Sequence, residues 1–125
     1  MWDRLLGLDL FPESLTQSEV SFYLRHQHAF GLPLDNRHTY TKLDWSVWTA
    51  TMALNPQDFD AFIDPLYKFM TQTPTRVPLS DWFDTVTGTQ VGFQARSVVG
   101  GVYIKMLSDP RMWEKWSAAQ KPRTP

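Results

Sequence analysis

Apolar residues along the chain recur at helical rather than strand spacing, and proline and glycine cut the pattern into segments. Trp2 to Leu10 reads as the end of a helix stopped at Phe11-Pro12. Ser14 or Thr16 can cap a second helix running to about Phe30, with Leu15, Val20, Phe22, Tyr23 and Leu24 loosely periodic. Gly31 is then placed as its C′ residue, and Pro33 prevents continuation. A third helix is predicted from Leu43 or Asp44 to about Leu54, with Trp45, Trp48 and Met52 as its core stripe. Asn55-Pro56 is a helix start, a capping side chain followed by proline at the first helical position. The helix after it has the cleanest period in the chain: Phe59, Phe62, Ile63, Leu66, Phe69 and Met70. Pro65 inside it removes one backbone hydrogen bond and predicts a kink.

Thr73 to Gln94 carries Pro74, Pro78, Gly88 and Gly92 and reads as a long irregular loop, a type that is usually functional when it occurs in a compact domain. A last strong helix is predicted from Ala95 to Ser108, with Ala95, Val98, Val99, Val102, Tyr103 and Met106 on one face. Gly100 and Gly101 inside it cost roughly 1 kcal/mol each against alanine. A close approach by another backbone or a ligand would account for that cost. Asp109-Pro110 opens a short helix carrying Trp113 and Trp116, read as core or edge packing, and KPRTP frays. The fold class is all-α, with four or five helices and two long loops.

The stretch Gly31 to Trp48, GLPLDNRHTYTKLDWSVW, is too rich for a connector. It mixes both charge signs with aromatic rings, as binding and catalytic loops do. Composition supports a packed domain: 42% of residues are hydrophobic and 20% charged, which argues against disorder. Net charge is -1 and the basic residues are scattered, so neither nucleic acid nor a membrane surface is expected as a partner. No apolar run reaches membrane-spanning length. No cysteine is present, which excludes disulfides and thiolate metal sites, and neither Asn36 nor Asn55 begins a glycosylation sequon. His26 and His28, two apart at a helix end, do not make a metal pair. Without metal-ligand spacing, a phosphate loop or a nucleotide fingerprint, no cofactor is expected.

Three motifs, GLPLDNRHTYTKLDW, PLSDWFDTVTG and GFQARSVVGGVYIKML, resemble in that order the C-terminal part of the fungal glutaminase A family. The resemblance runs from the first helix through Leu107. It departs at Asn36, where serine is expected, and at Leu43, where a small polar residue is expected; neither change removes an ionisable group. The resemblance implies an (α/α)6 toroid of six helical hairpins preceded by a separate β-rich domain. Such a toroid needs about twelve helices of roughly 11–12 residues. This chain supplies about two hairpins and a remainder, so residues 1–125 are expected to be an incomplete C-terminal segment that folds poorly or associates alone. The parent protein is expected to be extracellular, although MWDRLLGLDLFPES lacks signal-peptide features.

The implied reaction is hydrolysis of L-glutamine to L-glutamate and ammonia. It requires a group that activates water, an oxyanion stabiliser, and a grip on the substrate's α-carboxylate and α-amino groups. Asp44, at a helix start beside Trp45, reads as a base or as an ordinary N-cap. Asp81-Trp82 echoes Asp44-Trp45, and the two pairs would set two carboxylates at one toroid rim; alternatively Asp81 caps a turn. His38 can shuttle protons. Arg37 suits a carboxylate clamp or a salt bridge to Asp35. Tyr40 and Lys42 can donate to an oxyanion or simply pack and solvate. Arg96 and Ser97 open a helix whose free N–H groups favour a substrate carboxylate. A small-molecule substrate and the rest of the toroid are the expected partners. Tryptophan beside carboxylates equally suits a sugar, so a carbohydrate-active toroid segment and a non-catalytic remnant stand as alternatives.

Overall fold

A computed structural model describes residues 1–119. Its helices are α1 (Trp2–Leu5), α2 (Glu13–Arg25), α3 (Leu43–Ala50), α4 (Pro56–Gln72), α5 (Ile104–Leu107) and α6 (Pro110–Ala119). A 3₁₀ helix (Ser97–Tyr103) leads into α5. Two three-residue strands, β1 (Tyr40–Lys42) and β2 (Trp82–Asp84), pair antiparallel with Tyr40 opposite Asp84, Thr41 opposite Phe83 and Lys42 opposite Trp82. The class is all-α apart from this ribbon.

Helix α4 is the spine, and its local chemistry dictates where it starts. Asn55 Oδ1 accepts from the Asp58 N–H at 2.8 Å, Asn55 Nδ2 donates back to Asp58 Oδ2 at 2.8 Å, and Pro56 takes the first helical position. Its buried face, Phe62, Leu66 and Phe69, holds two linked clusters. One contains Leu43, Val47, Leu66, Phe69 and Phe83; the other contains Val20, Ala50 and Phe62, and Ile63 packs on both. Phe69 and Phe83 stack with ring centroids 3.7 Å apart. Met70, expected on the buried face, is 46% exposed.

Several predicted boundaries move, each for a tertiary reason. Helix α1 stops at Leu5 because Gly7 and Asp9 take positive φ and Asp3 Oδ1 accepts from the Leu10 N–H, curling the chain back. Neither Ser14 nor Thr16 caps α2, which begins after Pro12. It ends at Arg25, well before Phe30. Gly31 is therefore not its C′ residue: it pairs with His28 in an isolated antiparallel bridge at φ 127, and a Cβ there would lie 3.1 Å from Leu66 Cδ2. His28 is correspondingly removed from the helix end, its Nδ1 2.7 Å from Thr85 Oγ1.

Helix α3 buries Leu43, Asp44, Ser46, Val47 and Ala50 rather than the Trp45, Trp48 and Met52 stripe. Trp45 is 48% exposed and stacks on half-buried Trp48. The ribbon lies inside what reads from sequence as loop. The Ala95–Ser108 helix is also corrected: Ala95 sits at φ 50, Ser97–Tyr103 tightens to 3₁₀, and only Ile104–Leu107 is α. On the face predicted for it, Tyr103 and Met106 are exposed while Val102 reaches the core. Trp113 and Trp116 are exposed rather than packed, and KPRTP lies outside the described residues. Among the described residues no helix is long and apolar enough to cross a membrane.

Candidate active site

The alternation of β1 and β2 builds the site. Side chains two apart on a strand share a face, and residues opposite in register share it too. Thr41 and Phe83 point into the core, at 2% and 0% exposure, so Tyr40, Lys42, Trp82 and Asp84 occupy the other face. Lys42 ends β1 and is also the N-cap of α3, which puts Asp44 in the first helical turn. The Leu43 N–H donates to the Asp81 carbonyl at 2.7 Å, stitching the two loops together where both aspartates emerge. Asp44 is thus not the N-cap, and neither Asp81 carboxylate oxygen accepts a hydrogen bond from a turn.

The outcome is a charged cluster in the interior. The side chains of Asp44 and Asp81 are 2% and 0% exposed. Lys42 Nζ lies between them, 3.9 Å from Asp44 Oδ2 and 3.7 Å from Asp81 Oδ2, and Arg96 Nη1 is 3.4 Å from the same Asp81 oxygen. The ammonium also lies 5.3 Å from the Trp45 ring centre and 5.8 Å from that of Trp82, and the Arg96 guanidinium covers Phe93 at 4.8 Å. The ion pairs of Lys42 and Arg96 to these aspartates, at 3.4 to 3.9 Å, are longer than good hydrogen bonds. Asp44 Oδ1, both Asp81 oxygens and Trp82 Nε1 are buried without a partner. Burial raises the proton affinity of the Asp44 carboxyl above the ordinary carboxylate value, with Asp81 adding to the rise and Lys42 opposing it. Two dry carboxylates with open oxygens beside two cations are suited to moving protons while stabilising developing negative charge.

The other candidates lie elsewhere. Arg37 forms a bidentate pair with Asp35, closing to 2.6 Å on a side chain that is 73% exposed. That pair, with the Arg37 backbone N–H, holds the Asp35 carboxyl down at about 2. His38 is exposed and stacks on Tyr40, and Tyr40 meets Trp82 edge-on with ring centres 5.0 Å apart. Ser97 is exposed at the start of the 3₁₀ helix, and its hydroxyl bonds to nothing among the described residues. A separate cleft of about 350 Å³, lined by Tyr23, His26, His28, Leu32, Trp45 and Thr49 among others, contains neither aspartate of the cluster. Among the described residues no group of His, Asp or Glu is placed to hold a metal ion.

Sequence reasoning assigns no part in the site to Trp48. Its Nε1 donates to the Gly101 carbonyl at 2.9 Å, bringing the 3₁₀ helix over Asp44. The adjacent glycines are the available signal, since a costly pair inside a helical pattern marks close approach.

Residues 1–106 match a family model described as the Glutaminase A six helical-hairpin domain. The chain is similar to Glutaminase A of Aspergillus oryzae, 38% identical over 108 residues, which covers 84% of this chain and 16% of that protein. It is also 33% identical over 93 residues to a probable glutaminase of Arthroderma benhamiae, covering 72% of this chain and 11% of that protein. The chain therefore spans no more than 16% of the length of these relatives. No solved structure matches it. With most of its length matched by that model, the chain belongs to the glutaminase A six helical-hairpin domain family.

Proposed function

We propose that this segment supplies part of the active site of a glutaminase A-like amidohydrolase, which converts L-glutamine and water to L-glutamate and ammonia. The observation that carries the reading is the buried pair Asp44 and Asp81, joined by one lysine and left with open carboxylate oxygens. Asp81, flanked by Lys42 and Arg96, acts as the base that takes a proton from the attacking water. Lys42 faces the oxyanion that forms on the amide carbon. Asp44, whose neutral form burial favours, gives its proton to the departing ammonia. Arg96 and the unpartnered Trp82 Nε1–H are the donors offered to the substrate's α-carboxylate. The remaining hairpins of the toroid close the opposing wall.

The test is ammonia release from L-glutamine, run on the 125-residue chain and on this segment grafted in place of the matching 108 residues of the Aspergillus oryzae protein. An active graft that loses roughly 10²–10⁴-fold on Asp44→Asn or Asp81→Asn supports the two carboxylate roles. A folded graft without activity overturns the function, and variants that keep full activity overturn the site. A carbohydrate-active site is the second reading, favoured by the half-exposed indole of Trp45 beside the carboxylates. Release of reducing sugar from glycosides, without ammonia release, would establish it instead.

A further inference from the structure

Asp44 and Trp48 are four residues apart on α3 and so lie on one helix face. The 3₁₀ helix crosses that face at Gly101, whose carbonyl accepts from Trp48 Nε1 at 2.9 Å and from the backbone N–H of Ile104. A Cβ at Gly101 would fall 2.9 Å from Asp44 Cβ, 3.1 Å from Trp48 Nε1 and 3.2 Å from Trp48 Cζ2. The φ of Gly101 is not in the left-handed region, so space alone demands glycine there. At Gly100, one residue earlier, a Cβ would meet nothing within 4 Å. The backbone at 101 therefore rests directly on the aspartate, and the indole holds it there.

We propose that Trp48 and Gly101 are positioning residues for Asp44: their hydrogen bond clamps the 3₁₀ helix over its side chain and keeps water off the carboxyl. The significance for turnover rests on the function proposed above; the clamp itself does not. The charges facing Asp44 are Lys42 from β1 and Asp81 from the residue just before β2, with Arg96 reaching Asp81. Helix α3 has no other ionisable side chain, and the 3₁₀ helix has only Tyr103, which is exposed. Lys68 of α4 lies over Phe30 and Lys105 of α5 over Phe59. Loosening the clamp thus changes the hydration of Asp44 while Lys42, the cation paired with it, stays in place on β1. Water returning to the carboxyl stabilises its ionised form, so its proton affinity must fall.

The experiment follows the Asp44 side-chain carboxyl by carbon-detected NMR across pH in the 125-residue chain. Native Asp44 is expected to titrate above the ordinary carboxylate value. Trp48→Phe, which keeps the ring and removes the donor, and Gly101→Ala should each lower the midpoint by roughly one pH unit. Gly100→Ala should leave it in place. In the active graft, the limb of the ammonia-release profile governed by Asp44 should move with the midpoint. A native Asp44 that titrates at the ordinary value overturns the proposal, even if neither variant folds. So do folded Trp48→Phe and Gly101→Ala chains with unmoved midpoints. A midpoint that moves while the ammonia profile stays fixed keeps the clamp and removes Asp44 from the reaction.

Discussion

Replacing Lys42 by methionine keeps the unbranched stem, one atom shorter, and removes the one cation shared by Asp44 and Asp81. At separations of 3.9 and 3.7 Å, an effective dielectric constant of ~20 gives about 4 kcal/mol of attraction per contact, much of it offset by desolvating the lysine. Removing one partner of a buried pair usually costs about 3–5 kcal/mol. Two reliefs operate here. Arg96 stays on Asp81, and Asp44 can take up a proton. A loss of roughly 2–3 kcal/mol at neutral pH is therefore expected for Lys42→Met. The pH dependence has a definite sign. Burial already raises the Asp44 proton affinity in the fold and Lys42 holds it back, so the variant raises it further. A carboxyl that binds its proton more tightly folded than unfolded adds stability below its unfolded midpoint, near 3.8, and loses it as pH rises through the folded midpoint. The penalty should be greatest at neutral pH and should shrink toward about pH 3, where Asp44 carries its proton and no longer needs the cation. Urea unfolding followed by far-ultraviolet circular dichroism at both pH values measures it. A penalty below about 1 kcal/mol at neutral pH, or one equal at the two pH values, would refute the electrostatic account.

Two further outcomes test other parts of the structure. Arg37→Ala should let the Asp35 carboxyl rise from about 2, though only part of the way, because the backbone N–H of residue 37 still donates to it. In the native chain this pair adds stability that is present above the ordinary value and lost as pH falls toward about 2. An Asp35 titration by NMR that stays put in the variant would exclude the ion pair. Phe83→Ala removes a fully buried ring stacked on Phe69 and should cost about 3–5 kcal/mol in urea unfolding. A cost under about 1.5 kcal/mol would mean that the ribbon does not carry the core.

What the sequence makes legible is the local chemistry. Helix α4 follows from Asn55-Pro56 and an unbroken period because capping and amphipathicity act within a few residues. The ribbon is illegible for the opposite reason. Tyr40–Lys42 and Trp82–Asp84 are too short to show alternation, and only pairing across some forty intervening residues makes them strands. The buried face of α3 lies about half a turn from the one its sequence suggests, since bulky indoles at Trp45 and Trp48 look like core. Its rotation is set by the end of β1, which makes Lys42 the cap and turns Leu43, Val47 and Ala50 inward. Leu43 is 1% exposed in that core. The echo between the two Asp-Trp dipeptides does indicate that the loops converge. Lys42 as the bridge between them is hidden, because a lysine two residues before an aspartate carries no such signal until a strand and a helix meet between them.

The charged cluster is not what holds the fold together. Burying two carboxylates is costly even when cations accompany them, and well-packed apolar residues in their place are often neutral or stabilising. In this cluster the contacts are long and several oxygens have no partner, so the cost is poorly compensated. Core formation at this point is already achieved by the opposite face of the ribbon, through Thr41 and Phe83. Yet Lys42 at the junction of β1 and α3, the Leu43–Asp81 backbone bond, the Trp48–Gly101 contact and Arg96 at the entry to the 3₁₀ helix all converge on these two side chains. Elements from three separated parts of the chain hold in place a constellation that subtracts from stability. Uncompensated buried charge of this kind is characteristic of sites kept for chemistry, and joint replacement of Asp44, Asp81 and Lys42 by apolar groups, unlike loss of the lysine alone, should leave folding intact.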